Sequence, residues 1–396
     1  MNKNTRMKLT AEALREFRVA KLFQPTCDTK YSMCFSRNGD HLVSCDHHNF
    51  ILFNCNKLTQ LCMVHMRQFR PELVSFTTQN DRLLHSSTKV DCAIRYLDLS
   101  SHQHLGLFSG HTSALRALCL QPGSEHQFMS AGCDDRVFMW DLRTCGYTHQ
   151  LKHLHRPLLA YDPTGRAFAT CNNTERIEIH DVRMLSAKPC QQFGYQLNEL
   201  AKWTQMQFAP DGKTLLVNTD NAWCFSVDAY RGSFRQAYTG YANREQLPLQ
   251  VCYTPDSQYV LAGADNGRIH VWEAVNGDPL VVLRSKSHYP MQCIQFNPTR
   301  SMFASSDVRT LLWLTQPKHE LKPTAIIDLT ATDDSEVELG EIKTASKRQR
   351  RRRAWPMPME LPRWPPPSPP PRVLHWRRRR LRQVEDADSL EEGELR

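Results

Sequence analysis

The sequence predicts an all-β chain: a seven-bladed propeller, a closed ring of seven four-stranded sheets, followed by a disordered tail. Two markers and one boundary predict it. The first marker is an aromatic or large apolar residue just before a turn. It falls at Phe35, Phe76, Leu120, Tyr161, Phe208, Tyr253 and Phe296, at intervals of 41, 44, 41, 47, 45 and 43 residues. The second closes an alternating strand, at Phe53, Leu97, Trp140, His180, Val227, Trp272 and Trp313, at intervals of 44, 43, 40, 47, 45 and 41 residues. The boundary lies near residue 317; beyond it both markers stop and none of the 14 cysteines occurs. A four-stranded sheet of about 43 residues has two apolar faces and cannot bury both alone, whereas stacked radially on its neighbours it can.

Taken in order, residues 1–13 read as a polar leader without the apolar stretch of a secretory signal. Leu14 to Phe23 alternates through Phe17 and Val19 and precedes the first copy. The seventh copy ends at Trp313-Leu314 without a fourth strand, so this stretch is expected to supply it and close the ring, removing the open edge. The propeller is thus expected over 14–316. Strands are expected at Leu42–Ser44 and Phe50–Phe53 in the first copy, and at Leu73–Phe76, Leu83–Ser86 and Ile94–Leu97 in the second. The third copy, Ser109–Arg143, is the clearest: Gly110-His111, an apolar run Ala114–Leu120, Phe128–Gly132, then Asp134 and Trp140-Asp141. Ala167–Cys171 and Ile177–Val182 serve the fourth, Trp203–Phe208 and Leu215–Asn218 the fifth, and Gly232–Glu273 holds the sixth. The seventh takes Leu280–Leu283, Met291–Phe296 and Phe303–Ser306.

The period is that of a WD40 blade, and the third copy resembles that family most closely. The resemblance implies that His111, Ser130, Asp134 and Trp140 form a side-chain tetrad tying the strands of one blade, partners a buried His–Asp pair needs. The sixth copy has Gly240-Tyr241 for Gly-His and Asn266 where the aspartate would stand, so the tetrad is expected in copy three only.

No catalytic signature stands in the chain: no glycine-rich phosphate loop after a strand, no Gly-x-Ser-x-Gly, no His-Glu-x-x-His. The expectation is a non-enzymatic protein without cofactor. Cys45, Asp46, His47 and His48 cluster in a first-copy loop; a metal site needs ligands at defined spacing, and an exposed polar loop is the plainer reading. Cys34, Cys119 and Cys252 occupy matching strand positions, as small apolar core residues do. Scattered cysteines fit reduced thiols in cytosol or nucleus. No apolar run approaches the roughly 18 residues that span a bilayer, so no membrane partner is expected.

Several segments carry a narrower likeness. They are Met7-Lys8-Leu9-Thr10, Leu14, Phe17-Arg18-Val19-Ala20-Lys21, Ile94-Arg95-Tyr96-Leu97 and Trp140-Asp141-Leu142-Arg143. Trp203-Thr204, Gly240-Tyr241-Ala242-Asn243, Thr254-Pro255-Asp256-Ser257-Gln258 and Ile269-His270-Val271-Trp272 complete them. Together they resemble the WD repeat-containing protein 82 family over residues 7–316. Three departures mark a divergent member: His47-His48-Asn49 replaces an acidic run, Arg37 replaces a turn proline, and some 80 residues follow the seventh copy. The resemblance implies a nuclear scaffold in SET-domain complexes that methylate histone H3 on lysine 4, and in a nuclear phosphatase-one complex. Both are linked to RNA polymerase II through its phosphorylated C-terminal repeats. Trp140-Asp141-Leu142-Arg143 and His180-Asp181-Val182-Arg183 also fit the Trp-Asp-x-Arg box of propellers that serve cullin-type ubiquitin ligases as substrate receptors, with Arg143 and Arg183 as adaptor contacts.

The tail, 317–396, separates its charges. Residues 318–396 hold 17 Lys+Arg against 14 Asp+Glu, leaving 33 against 27 in residues 1–317. Ile326, Ile327, Asp328 and Leu329, ahead of an acidic cluster, have the pattern of a SUMO-interacting motif; a chance apolar patch is the alternative. The basic blocks are Lys347, Arg348, Arg350, Arg351, Arg352, Arg353, Arg377, Arg378, Arg379 and Arg380. They read as a nuclear-import address or as RNA or DNA contacts, with Trp355, Trp364 and Trp376 placed to stack on bases, against a merely solvated tail. Pro365–Pro371 favours an extended spacer.

Overall fold

The computed structural model describes residues 7–24, 30–152, 154–172, 176–185, 188–195 and 201–315. A one-turn helix α1 (Ala11–Arg15) opens the fold, followed by β1 (Phe17–Leu22). Blade one holds β2 (Ser32–Phe35), β3 (His41–Cys45), β4 (Asn49–Asn54) and β5 (Thr59–His65). Blade two holds β6 (Val74–Phe76), β7 (Arg82–Ser86), β8 (Ile94–Asp98) and β9 (His104–Phe108). Blade three holds β10 (Leu115–Leu120), β11 (Gln127–Gly132), β12 (Val137–Asp141) and β13 (Tyr147–Leu151). Blade four holds β14 (Leu159–Tyr161), β15 (Ala167–Asn172), β16 (Arg176–Asp181) and β17 (Gln191–Gly194). Blade five holds β18 (Trp203–Phe208), β19 (Thr214–Thr219), β20 (Cys224–Asp228) and β21 (Phe234–Tyr238). Blade six holds β22 (Val251–Tyr253), β23 (Tyr259–Gly263), β24 (Arg268–Glu273) and β25 (Pro279–Arg284). Blade seven has β26 (Cys293–Phe296), β27 (Met302–Ser306) and β28 (Thr310–Thr315), and takes β1 as its fourth strand. The described residues form a seven-bladed β-propeller.

The two sequence markers are neighbours in space. In each blade the first marker ends the innermost strand, and the second lies on the third strand in the same cross-strand row. In blade three the row is Leu120, Phe128, Trp140; in blade seven it is Phe296, Phe303, Trp313. One shared period is therefore required, because both residues pack in one layer of one sheet.

The repeat in the sequence is offset by one strand from the blade. Leu280–Leu283 belongs to β25 and hence to blade six, not to the seventh sheet. That offset leaves blade seven one strand short, and β1 fills the place antiparallel to β28, with Phe17 opposite Thr315 and Val19 opposite Trp313. The leader also differs from expectation. Thr10 caps α1 through its hydroxyl, which accepts from the Ala13 N–H at 3.2 Å. Leu9 is buried, and its N–H donates to Asp256 at 2.8 Å. Residues 7–13 thus pack with the propeller, because Met7, Leu9 and Leu14 supply apolar cover between blades six and seven.

Among the described residues seven hydrophobic clusters form the core, and each lies between two adjacent blades. The cluster between blades seven and one joins Phe23, Met33, Phe35 and Leu42 to Cys293, Met302 and Leu312. Polar ties reinforce that junction: the Asn297 amide donates to the Gly39 carbonyl at 2.8 Å and the Thr299 hydroxyl to the Asn38 carbonyl at 2.9 Å. Arg300 pairs with Asp40 beside them.

Candidate functional site

Blade three contains the arrangement closest to a chemical site. The Trp140 indole N–H donates to Ser130 Oγ at 2.8 Å. Ser130 Oγ lies 2.7 Å from His111 Nε2, and His111 Nδ1 lies 3.0 Å from Asp134 Oδ1. Since Ser130 already accepts from the indole, its own hydrogen goes to Nε2, and Nδ1–H donates to the carboxylate. Asp134 also accepts the Thr112 N–H at 2.9 Å. Burial pushes the His111 imidazole below its ordinary pKa, although Asp134 acts in the opposite sense. Gly132 is required here, since a Cβ would lie 2.4 Å from Asp134 Oδ1 and 2.5 Å from His111 Nδ1.

A Ser–His–Asp relay can serve catalysis when the serine oxygen is open to substrate. Ser130 is 0% exposed and its oxygen is occupied by the indole. The relay therefore ties the loop after β9 to β11 and β12; it is an internal brace.

The brace recurs in altered form. In blade seven the Trp313 indole donates to Ser305 Oγ at 2.9 Å, and Ser287 donates to Asp307 at 2.6 Å. In blade five Asp220 accepts the Lys202 N–H at 2.9 Å. In blade six Asn266 stands in the predicted place, but its neighbour Asp265 accepts the Arg244 N–H at 2.7 Å. Blade one uses charge: Lys30 Nζ lies 2.8 Å from Asp46 Oδ2, and both side chains are essentially buried, at 1% and 0% exposure. The usable sequence signal is a carboxylate just past the second strand in blades one, three, five, six and seven, not the full tetrad.

The first-blade loop is therefore not simply an exposed polar loop. Asp46 also accepts the His48 and Asn49 N–H groups at 2.8 and 2.6 Å. Burial alone would raise the Asp46 carboxyl, but Lys30 and these donors together hold it below the ordinary carboxylate range. Among the described residues no group of three or more His, Cys, Asp or Glu is placed to hold a metal ion. Burial raises the thiols of Cys34, Cys119 and Cys252, the last two to about 12, which suits packing rather than nucleophilic chemistry.

Arg143 and Arg183 occupy the same hairpin, between third and fourth strands, of adjacent blades. Each guanidinium grips the aspartate two residues back, Arg143 on Asp141 at 2.9 and 2.7 Å and Arg183 on Asp181 at 3.1 and 2.8 Å. Their side chains remain 67% and 76% exposed. The aspartate fixes the fork and leaves its outer face free. The SUMO-type segment Ile326–Leu329 and the basic blocks from Lys347 to Arg380 lie outside the described residues.

Comparison with known proteins places this geometry. Residues 102–141 and 237–273 match the WD domain, G-beta repeat model; each match ends on a third strand, at the same offset from the blade noted above. The chain is 37% identical over 311 residues to WD repeat-containing protein 82 of Drosophila melanogaster, across 78% of this chain and 98% of that protein. The chain belongs to the WD repeat-containing protein 82 family. Further relatives are COMPASS component SWD2 of Saccharomyces cerevisiae, 28% identical across 76% of this chain and 97% of that protein, and Set1 complex component swd2 of Schizosaccharomyces pombe, 27% identical across 63% and 74%. As a member of this family the chain is a non-enzymatic WD-repeat protein. Among the described residues no helix is long and apolar enough to cross a membrane.

Proposed function

We propose that this family member is a nuclear scaffold subunit of a SET-domain complex that methylates histone H3 on lysine 4. The observation that carries the reading is the match over 98% of the Drosophila relative, together with the two yeast relatives named as subunits of COMPASS and the Set1 complex. The fold supports it physically: a ring whose polar networks are spent internally offers rigid rims on which partners dock without reshaping the protein. The same subunit serves a nuclear phosphatase-one complex at transcribing RNA polymerase II, where the excess of 33 Lys+Arg over 27 Asp+Glu in residues 1–317 suits phosphorylated C-terminal repeats. The tail blocks Lys347–Arg353 and Arg377–Arg380 direct import, and Ile326–Leu329 recruits SUMO-bearing partners. Affinity purification of the tagged full chain from nuclei, read by mass spectrometry, tests this. A SET-domain methyltransferase is expected among the partners; its absence from a well-expressed nuclear preparation would overturn the reading.

Ligase-receptor function is a second reading, favoured by the two exposed arginines held alike in adjacent blades. It requires the cullin adaptor in the same purification, and its loss from Arg143→Ala.

A further inference from the structure

Outer strands of a propeller are open edges, and three of the seven here carry charge or proline, while β5, β9, β13 and β17 carry neither. β1 carries Arg18 and Lys21, β21 carries Arg235, and β25 starts at Pro279 and ends at Arg284. Charges and proline on an edge block the addition of a further strand. β9, His-Leu-Gly-Leu-Phe, is one of the four unguarded edges, and an apolar depression lies beside it. It is the last strand of its sheet, and it exposes Leu105 and Leu107, at 47% and 50%.

This open depression of about 360 Å³ is lined by Phe69, Arg95 and His104 to Leu107. Its walls are fixed. Arg95 is held by Asp91 at 2.9 and 2.8 Å and stacks on the Phe69 ring at 4.2 Å. His104 Nε2 lies 3.3 Å from His85 Nε2, and its ring meets the Phe69 ring edge-on at 5.2 Å.

Gly106 in the middle of this strand has no internal explanation. Its φ is not positive, and an added Cβ would make only ordinary contacts, the nearest at 3.5 Å to the Phe108 ring. Glycine inside a strand weakens it and often marks close approach by another backbone. Phe69 belongs to the loop between β5 and β6, which exposes Arg67 and Arg70, and the loop between β7 and β8 exposes Lys89. Those loops are joined, the Thr88 and Lys89 N–H groups donating to the Phe69 carbonyl at 3.1 and 3.3 Å.

We propose that β9 accepts an extended segment of a partner protein as an added strand, aliphatic where it meets Leu105 and Leu107 and acidic where it reaches Arg67, Arg70 and Lys89. Backbone pairing along β9 supplies affinity, an aliphatic side chain packs into the open depression, and the cations set polarity. The inference concerns the propeller alone and holds whichever assembly the chain joins.

The test is selection of a random peptide library displayed on phage against the full chain, followed by hydrogen exchange with the enriched peptides. Alternating aliphatic peptides with an acidic flank are expected. They should slow exchange at residues 104–108 and bind at least tenfold more weakly to Leu105→Lys/Leu107→Lys and to Arg67→Glu/Lys89→Glu. Gly106→Ala, whose Cβ meets only ordinary contacts, should keep its melting temperature, and the bulkier Gly106→Val should bind weakly too. Equal binding to all variants, protection elsewhere, or indifference to the acidic flank would overturn the proposal. So would self-association abolished by the leucine variants, which gives the edge to a second copy. A tenfold gain in peptide binding by Ile327→Ala/Leu329→Ala would likewise overturn it, assigning the edge to the chain's own aliphatic–acidic segment.

Discussion

Lys30→Met is the most informative single perturbation of this ring. Lys30 sits where blade seven meets blade one. Its N–H donates to the Asp307 carbonyl at 3.3 Å, its carbonyl accepts from Cys293 Sγ at 3.3 Å, and its ammonium lies 2.8 Å from Asp46. With the side chains at 1% and 0% exposure, screening by water is negligible. Removing the ammonium leaves a buried carboxylate without its counter-charge, a loss of about 3–5 kcal/mol. At about 2.1 cal/mol/K per residue over roughly 300 ordered residues, that lowers the melting temperature by about 5–8 °C. Asp46→Asn keeps an acceptor for the His48 and Asn49 N–H groups, so the double variant should recover at least half of the loss. Thermal and urea unfolding followed by circular dichroism measure both. The pH dependence has a definite sign: the folded Asp46 carboxyl is depressed, so the pair's contribution is present above the unfolded value of about 3.9 and fades as pH falls through the lower folded value. A cost below about 1 kcal/mol, or strictly additive single variants, would refute the reasoning.

Phe17→Ala should cost about 3–5 kcal/mol, because Phe17 is fully buried against Phe296 and Phe303 at the strand that closes blade seven; urea titration reads it. His111→Ala should cost about 1.5–3 kcal/mol through its bond to the Asp134 carboxylate, and Trp140→Phe about 1 kcal/mol, both without any change in catalytic activity to report. Arg143→Ala and Arg183→Ala should leave the melting temperature unchanged while removing any cullin-adaptor binding, measured by co-purification. Deleting residues 343–382 should abolish nuclear accumulation of a fluorescent fusion; retained import would remove the basic blocks from that role.

Periodicity carried most of the fold into view, since a blade's row of large residues must recur wherever a blade recurs. Trp140 and Trp313 were legible for that reason, and β1 was legible because the seventh copy lacks a strand. The brace was legible only where its residue types matched a known pattern. Lys30 was not, because an isolated lysine in a loop reads as solvated until the fold brings Asp46 over it. Likewise the leader hid Leu9, which with Met7 stands among polar residues and whose hydrogen-bond partner Asp256 lies some 250 positions away.

The same physics separates fold from function in this ring. Groups that looked chemical in sequence, His111 with Asp134 and Asp46 with its histidines, are consumed in holding loops to sheets. Changing them alters stability before it alters binding. Groups on the rims, Arg143, Arg183, Leu105 and Leu107, are held by a neighbour or a strand but remain open to solvent. Substitution there leaves the seven inter-blade cores intact, so partner choice can diverge while the propeller does not. A chain 37% identical to its Drosophila relative can therefore keep every blade and still present different edges. An uncharged, glycine-bearing edge such as β9 is where that freedom is expected to show.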